Sequence, residues 1–265
     1  MTIRDRGWPA GTPCWADCAV DDVPRAREFY GAVMGWDFEE TAPETGGYLI
    51  ARKNGHVAAG IMGKPEGMEQ MPSAWTTYLA TDDVDAIAEA VTANGGQVPV
   101  APMDVMSEGR MAIIVDPTGA FVGLWQPINH AGAALVNEPG GMCWNELQTR
   151  DIDGAKDFYA KLFGYTYKDL GMDEGMTYFV AEIDGEGVAG MMLNDMAPAE
   201  VPPMWQVYFA VEDCDKAVEA ATSLGATILM PPSDSPYGRM SFVQSPQGET
   251  LGLVDMSTTV GEMPA

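Results

Sequence analysis

The amino-acid sequence repeats itself once, and this repeat constrains the fold more than any other feature of the chain. The repeated segments keep the same order, and most lie 129 positions apart. Matching pairs include Cys14-Trp15 with Cys143-Trp144, Phe29-Tyr30 with Phe158-Tyr159, Trp75 with Trp205, Tyr78 with Tyr208, and Gly109-Arg110-Met111 with Gly238-Arg239-Met240. Such a period is too long for a solenoid, whose repeats span about 20–50 residues. The sequence therefore predicts two homologous domains, residues 1–130 and 131–265.

In each half, the predicted elements follow the order strand, helix and three strands, and this order occurs twice. Strand Cys14–Val20 precedes a helix with Asp22 as its N-cap, Pro24 in its first turn and Gly35 after its last turn. Apolar residues at helical spacing predict a second helix over Val84–Ala93. The remaining strands of this half are predicted at 36–39, 48–51, 57–62, 75–80, 97–101, 111–115 and 121–126. The expected fold class is α+β, with four βαβββ modules.

The charge balance excludes several classes of partner. Asp and Glu number 39 and Lys and Arg number 14, which gives a formal net charge of −25 at pH 7. Such a surface repels phosphate backbones and anionic lipid, so we expect no nucleic-acid or membrane partner. No apolar run approaches the roughly 18 residues that span a bilayer, and no apolar segment typical of a signal peptide follows the first residues. We expect a cytoplasmic protein.

Cysteine and histidine are scarce. The chain has four Cys and two His, and no two cysteines have CxxC spacing. We expect four reduced, buried thiols, because free cysteine in such a chain is usually a core residue. Two histidines exclude any mechanism that needs several imidazoles.

The repeated motifs resemble those of the vicinal oxygen chelate (VOC) superfamily, which includes glyoxalase I, bleomycin-resistance proteins and extradiol dioxygenases. The motifs that carry the resemblance are Asp22-x3-Ala26-x2-Phe29-Tyr30-x4-Gly35 and Asp116-Pro117-x-Gly119, with counterparts Asp151-x3-Ala155-x2-Phe158-Tyr159-x4-Gly164 and Ser245-Pro246-x-Gly248. More narrowly, the tandem pattern is similar to a two-domain actinobacterial branch. The resemblance implies two tandem glyoxalase-like domains, each an eight-stranded sheet shaped as a cup.

The resemblance also implies three metal-ligand positions in each half. They correspond to Trp15, Thr76 and Gly123 in the first half and to Trp144, Gln206 and Gly252 in the second half. Trp and Gly side chains offer no lone pair to a metal, so two of the three ligands are absent from each half. We therefore expect no metal and no other cofactor.

Strand alternation indicates what else the cups present. If Trp15 faces the cup, Asp17 faces it too, because residues i and i+2 of a strand share a side. The same argument applies to Trp144 and Glu146. The predicted catalytic residues are Asp17 and Glu146. The predicted ligand-binding residues are Trp15, Tyr78, Arg110, Trp144, Gln206, Tyr208 and Arg239.

Two structural alternatives compete with these roles. Arg110 and Arg239 recur at the same position of both halves, so they could instead form ion pairs with Asp17 and Glu146, because buried charges need partners. The two tryptophans of the first strands could be plain core residues.

Three functions are compatible with this pattern. The first is a metal-independent protein that holds an aromatic or polycyclic molecule, as in resistance, sequestration or a biosynthetic accessory role. The second is a cofactor-free lyase, isomerase or hydroxylase-like enzyme with Asp17 or Glu146 as general base. The third is a metal-dependent glyoxalase or dioxygenase. The sequence leaves open whether the protein is an enzyme and whether it is a monomer or a homodimer.

Overall fold

A computed structural model describes residues 3–4, 6–41, 45–171 and 177–260. The first half contains β1 (Pro13–Val20), α1 (Val23–Met34), β2 (Asp37–Glu40), β3 (Leu49–Lys53), β4 (His56–Gly63), β5 (Ala74–Ala80), α2 (Val84–Ala93), β6 (Gln97–Val105), β7 (Gly109–Val115) and β8 (Phe121–Pro127). The second half contains β9 (Met142–Thr149), α3 (Ile152–Phe163), β10 (Thr166–Asp169), β11 (Tyr178–Ile183), β12 (Glu186–Leu193), β13 (Met204–Ala210), α4 (Cys214–Ser223), β14 (Thr227–Ser235), β15 (Gly238–Gln244), β16 (Thr250–Asp255) and a short 3-10 helix (Met256–Thr258). The four predicted βαβββ modules are confirmed.

Local sequence explains where the helices begin and end. Each helix follows an Asp whose side chain accepts a hydrogen bond from a backbone N–H of the first turn, as Asp22 does from Arg25 at 2.9 Å. Gly35 ends α1 with φ of 68°, a left-handed conformation that glycine adopts without strain. Asn54 and Gly55 both have positive φ and form the tight turn between β3 and β4.

The strands form two open eight-stranded sheets of identical topology. The first has the order β2-β3-β4-β1-β5-β8-β7-β6, and the second has the order β10-β11-β12-β9-β13-β16-β15-β14. The first strands of the two modules are therefore central antiparallel neighbours, with Trp15 opposite Tyr78 and Trp144 opposite Tyr208. This topology confirms the predicted α+β fold with two tandem cup-shaped sheets.

The two halves share their hydrophobic cores. One core joins the first module to the last, and in it Phe209 packs against Trp36 and Trp75 with ring centroids 5.3 and 4.9 Å apart. The other core joins the second module to the third. On β1, Ala16 and Cys18 face the shared core, so Trp15 and Asp17 point to the opposite face. Each sheet therefore keeps one face for the core and one for its cup.

Two buried tyrosines of the helix motif link the halves. The Tyr30 hydroxyl donates to Glu249 at 2.9 Å, and the Tyr159 hydroxyl donates to Asp116 at 3.0 Å. Ser245 replaces Asp116 in the second half, and Glu249 supplies the carboxylate from four residues later. Both tyrosines are completely buried, which agrees with a structural role.

Two further sequence predictions concern cysteines and membranes. All four cysteines are buried and free of disulfides, as expected. Within the described ranges, no helix combines the length and the apolar character needed to cross a membrane.

Candidate functional site

The first cup is the face of the first sheet that carries Trp15, Asp17, Tyr48 and Tyr78. The hydroxyls of Tyr48 and Tyr78 both donate to Oδ2 of Asp17, each at 3.2 Å. The Trp15 indole N–H donates to the Tyr48 hydroxyl at 3.0 Å. Strand alternation on β1 thus places an indole and a carboxylate side by side. One phenol comes from β5 and the other from Tyr48, the residue just before β3.

The second cup is the equivalent face of the second sheet, with Trp144, Glu146, Tyr178 and Tyr208. The Tyr208 hydroxyl donates to Oε1 of Glu146 at 3.1 Å, and the Trp144 indole N–H donates to the Tyr178 hydroxyl at 2.9 Å. Gln148, two residues further along the same strand, also donates to Oε1 of Glu146 at 2.9 Å. Both halves therefore build one constellation of an indole, a carboxylate and two phenols.

Glycines make room for these phenols against the sheet. A Cβ atom at Gly60 would lie 1.9 Å from the Tyr48 hydroxyl oxygen, and one at Gly190 would lie 2.1 Å from that of Tyr178. At Gly123, a Cβ atom would lie 2.1 Å from a ring carbon of Tyr78. Gly252 has the same relation to Tyr208, at 2.4 Å. No larger residue fits at these positions unless a ring moves.

Burial shifts the ionisation of both carboxyl groups. It raises the pKa of Asp17 to about 7, although the hydrogen bonds from Tyr78 and Tyr48 act in the opposite direction. Burial also raises the pKa of Glu146, opposed by hydrogen bonds from Gln148, Tyr178 and Tyr208. With a pKa of about 7, Asp17 can exchange a proton near neutral pH.

Side chains of the protein itself close the mouth of the first cup. The His130 ring lies edge-on to Trp15 with centroids 4.5 Å apart, and the Trp125 indole N–H donates to the His130 carbonyl oxygen at 2.8 Å. Trp8 packs against the same cluster under the Arg4 guanidinium, which lies 4.1 Å above its ring. Trp15 is consequently only 3% exposed.

The second cup has smaller residues at the matching positions. Val254 occupies the place of Trp125. Val254 lies two residues after Gly252, which contacts Tyr208, and Trp125 lies two residues after Gly123, which contacts Tyr78. In the sequence repeat, Asn137 matches Trp8 and Thr259 matches His130. Trp144 is therefore half-buried where Trp15 is buried. A cavity of about 260 Å³ lies beside this cup, and Ala210 and Met256 belong to the walls of both.

Two of the predicted ligand-binding residues do not point into a cup. Arg110 binds Asp85 through two hydrogen bonds of 2.7 and 2.9 Å and Asp104 through one of 2.8 Å. Arg239 binds Asp215 and Asp234 in the same way. The ion-pair alternative for Asp17 and Glu146 is therefore wrong, because acidic residues near the helix starts and on the edge strands hold both arginines.

Gln206 lies opposite Glu146 on the neighbouring strand, but its amide is already engaged. Its Nε2 donates to the Thr250 and Val207 carbonyl oxygens, and its Oε1 accepts from the Thr250 hydroxyl at 3.2 Å. Gln206 therefore joins two strands, and Gln148 is the amide that reaches the carboxylate. Sequence analysis missed Gln148, because Ala19 occupies its place in the first half.

Sequence analysis also missed Tyr48 and Tyr178. They lie 130 positions apart, the same shift as Tyr78 and Tyr208, so the repeat held a sign of their equivalence. Their role depends on cross-strand placement: Glu146 is paired with Gly190, and the Tyr178 hydroxyl lies over that glycine. Sequence spacing alone does not give this neighbour.

Two regions of the chain match one known protein family. The model of the Glyoxalase/Bleomycin resistance protein/Dioxygenase superfamily matches residues 15–124 and again 127–253. The chain belongs to this superfamily.

Two curated relatives of this VOC protein are similar over nearly their whole length. A Mycobacterium tuberculosis protein named "Putative glyoxylase CFP32" is 41% identical over 248 residues, which cover 92% of this chain and 94% of that protein. The Streptomyces peucetius "Anthracycline biosynthesis protein DnrV" is 35% identical over 259 residues, which cover 93% and 94%. Among solved structures, the Mn(II)-bound glyoxalase from Novosphingobium aromaticivorans superposes with a TM-score of 0.63 at 17% identity, over 94% of this chain and 85% of that one. At that identity the likeness shows the fold alone.

The residues at the family's metal-ligand positions do not fit a metal in this chain. Trp15 and Trp144 stand at the first position of each half, and neither indole can act as a ligand. At the third position, the rings of Tyr78 and Tyr208 fill the space above Gly123 and Gly252. Among the described residues, no group of three or more His, Cys, Asp or Glu side chains is arranged to hold a metal ion.

Proposed function

We propose that this VOC protein binds an aromatic or polycyclic small molecule in its second cup without a metal. The observation that carries the proposal is the contrast in closure. Both cups present an indole, two phenols and a carboxylate, but only the first is covered by Trp125 and His130. Flat rings with polar tips favour an aromatic ligand, and the carboxylate offers it a hydrogen-bond acceptor.

The curated relatives support a small-molecule ligand of this kind. The name of the Streptomyces relative links that protein to the biosynthesis of anthracyclines, which are polycyclic aromatic compounds. The mycobacterial relative is named for glyoxylase chemistry. The proposal favours the likeness to the Streptomyces relative, because two of the three metal-ligand positions in each half hold Trp or Gly, whose side chains offer no donor.

An exchange of the closing residues between the cups tests this proposal, with 1-naphthalenemethanol as probe and calorimetry as readout. Val254→Trp gives the second cup the closing side chain of the first, so we expect binding to weaken about tenfold or more. Trp125→Val is the reciprocal control and leaves the second cup unchanged. Unaltered affinity in Val254→Trp, or affinity lost in Trp125→Val, would refute the assignment to the second cup. Thermal melting confirms that both variants fold.

The raised carboxyl pKa values favour a second candidate, a metal-free enzyme with Asp17 or Glu146 as general base. A carboxylate in an apolar cup is a stronger base than one in water, and it can remove a proton next to a carbonyl group. The test is proton exchange of 2-tetralone in deuterated water, followed by NMR. We expect Glu146→Gln to slow catalysed exchange about 100-fold or more. Exchange at the rate of buffer alone would eliminate this candidate.

We also propose a cytoplasmic location, a monomeric or homodimeric state, and no nucleic-acid partner. The net charge of −25 supports the last of these, because like charges repel. The shared cores already pair modules within one chain, which supports a monomer. Light scattering of the purified protein tests the oligomeric state.

A further inference from the structure

Glu146 is a buried carboxylate whose described hydrogen-bond partners are all neutral. It is 4% exposed, and its donors are the Gln148 amide and the hydroxyls of Tyr178 and Tyr208. A buried ionised carboxylate is costly without a counter-charge, even when it is hydrogen-bonded. The second cup therefore has a place for one positive charge.

The rings around Glu146 add to this preference. Trp144 and Tyr178 lie on one side, and Tyr208 makes an edge-on contact with Phe242 at a centroid distance of 5.3 Å. Aromatic faces attract cations, and the attraction grows when the cation is desolvated. A carboxylate surrounded by aromatic rings is a combination that recognises an ammonium group.

The protein does not supply this charge from its own arginine. Arg239 is the recurrent arginine of the second half, and Asp215 and Asp234 hold its guanidinium. The wider charge of −25 also favours approach of a cation over that of an anion. We infer that the ligand of the second cup carries a protonated amine beside its aromatic surface. This inference rests on the proposed function and names its ligand class.

Proton linkage follows from the groups that face Glu146. They are Tyr178 on β11 and Tyr208 on β13; Cys143 on β9 lies next to Tyr208, and Tyr237 in the β14–β15 turn lies next to Tyr178. Burial raises the pKa of Tyr178, Tyr208 and Cys143, so these groups stay protonated near neutral pH. A bound ammonium favours ionised Glu146, so its affinity should rise with pH as that carboxyl loses its proton.

Three naphthalene probes test the inference: 1-naphthylmethylamine, 1-naphthalenemethanol and 1-naphthoic acid. They share one ring system and differ in charge. We expect the amine to bind about tenfold or more tightly than the alcohol, and the acid to bind more weakly than both. The affinity of the amine should increase as the pH rises through the titration of Glu146, whereas that of the alcohol should stay constant.

Glu146→Gln is the decisive variant, because glutamine keeps the shape of the side chain and removes its charge. We expect it to abolish the preference for the amine and its pH dependence while the alcohol still binds. Glu219→Gln, an exposed change of the same charge on α4, controls for net charge.

The outcomes separate the two proposals. If no probe binds, the proposed function fails. If the alcohol binds as tightly as the amine, or if the preference survives in Glu146→Gln, the inference fails and the proposed function stands. If Asp17→Asn abolishes the preference instead, the cation site lies in the first cup and the inference is wrong.

Discussion

The two cups are built from the same residues and differ in what covers them. In the first cup, Trp15 lies beneath His130 and Trp125, so the aromatic face and its carboxylate are part of a core. In the second cup, Trp144 has the same bond to a tyrosine hydroxyl but remains half-buried. A duplicated domain can thus keep the floor of a site in both copies and cover it differently in each.

The difference shows that the set of an indole, a carboxylate and two phenols that both cups share is not by itself a binding site. Asp17 and Glu146 occupy the same position, and both accept hydrogen bonds from tyrosines. Their side-chain environment diverges at the neighbouring strand position, where Ala19 in the first half becomes Gln148 in the second half. Access and polar neighbours, rather than the shared floor, separate a structural copy from a candidate binding copy.

Removal of the first-strand indoles should have the largest effect on stability. We expect Trp15→Ala to lower the free energy of unfolding by about 3–5 kcal/mol, because it leaves a large cavity under His130 and Trp125. Trp144→Ala should cost about 1–2 kcal/mol, because the indole is partly solvated already. Urea unfolding of the two variants beside the wild type measures both values.

Equal losses in the two variants would show that the second cup is as tightly packed as the first and would break the comparison. Trp15→Phe and Trp144→Phe are the matched controls, since they remove the indole N–H bond but keep most of the ring.

The carboxyl groups should differ in their effect on the pH dependence of stability. The pKa of Asp17 in the folded protein, about 7, lies above its unfolded value. The folded state then binds the extra proton, so this contribution to stability is full below about pH 4 and is lost as pH rises through about 7. Asp17→Asn should remove a loss of about 3–4 kcal/mol over that range. Urea unfolding from about pH 4 to about pH 8 measures it.

Glu146→Gln provides the comparison within the same measurement. Its pKa is also raised, so the sign is the same, but three hydrogen-bond donors oppose the shift and the change should be smaller. A larger effect in Glu146→Gln than in Asp17→Asn would contradict the argument that the additional hydrogen-bond donor limits the shift at Glu146.

Much of the fold could be predicted because the repeat and the capping residues are local features. Asp22 and Gly35 define one helix, and Val84–Ala93 was predicted with the bounds that the structure shows. Strand alternation also placed Trp15 with Asp17 on one face, because a strand has a fixed period of two.

The rest of the site depends on contacts between strands that lie far apart in the sequence. Tyr48 reaches Asp17 across β4, over Gly60, and no spacing rule encodes that approach. The proposed ion pair between Arg110 and Asp17 was wrong for the same reason. Arg110 has its carboxylate partners on a helix and an edge strand, and sequence order does not reveal which acid is nearest. Closure by Trp8 and His130 also involves segments outside the repeat motifs.

The glycines beneath the tyrosines offer a smaller and finer test of the two cups. An added methyl group at Gly123 meets the Tyr78 ring, which Trp125 and the rest of the closed cup hold in place. At Gly252 the same group meets Tyr208, whose neighbour at the matching position is Val254 rather than a tryptophan. We expect Gly123→Ala to destabilise by about 2–3 kcal/mol and Gly252→Ala by about 1 kcal/mol. Denaturant midpoints measure the pair, and a reversed order would show that the second cup holds its tyrosine the more rigidly.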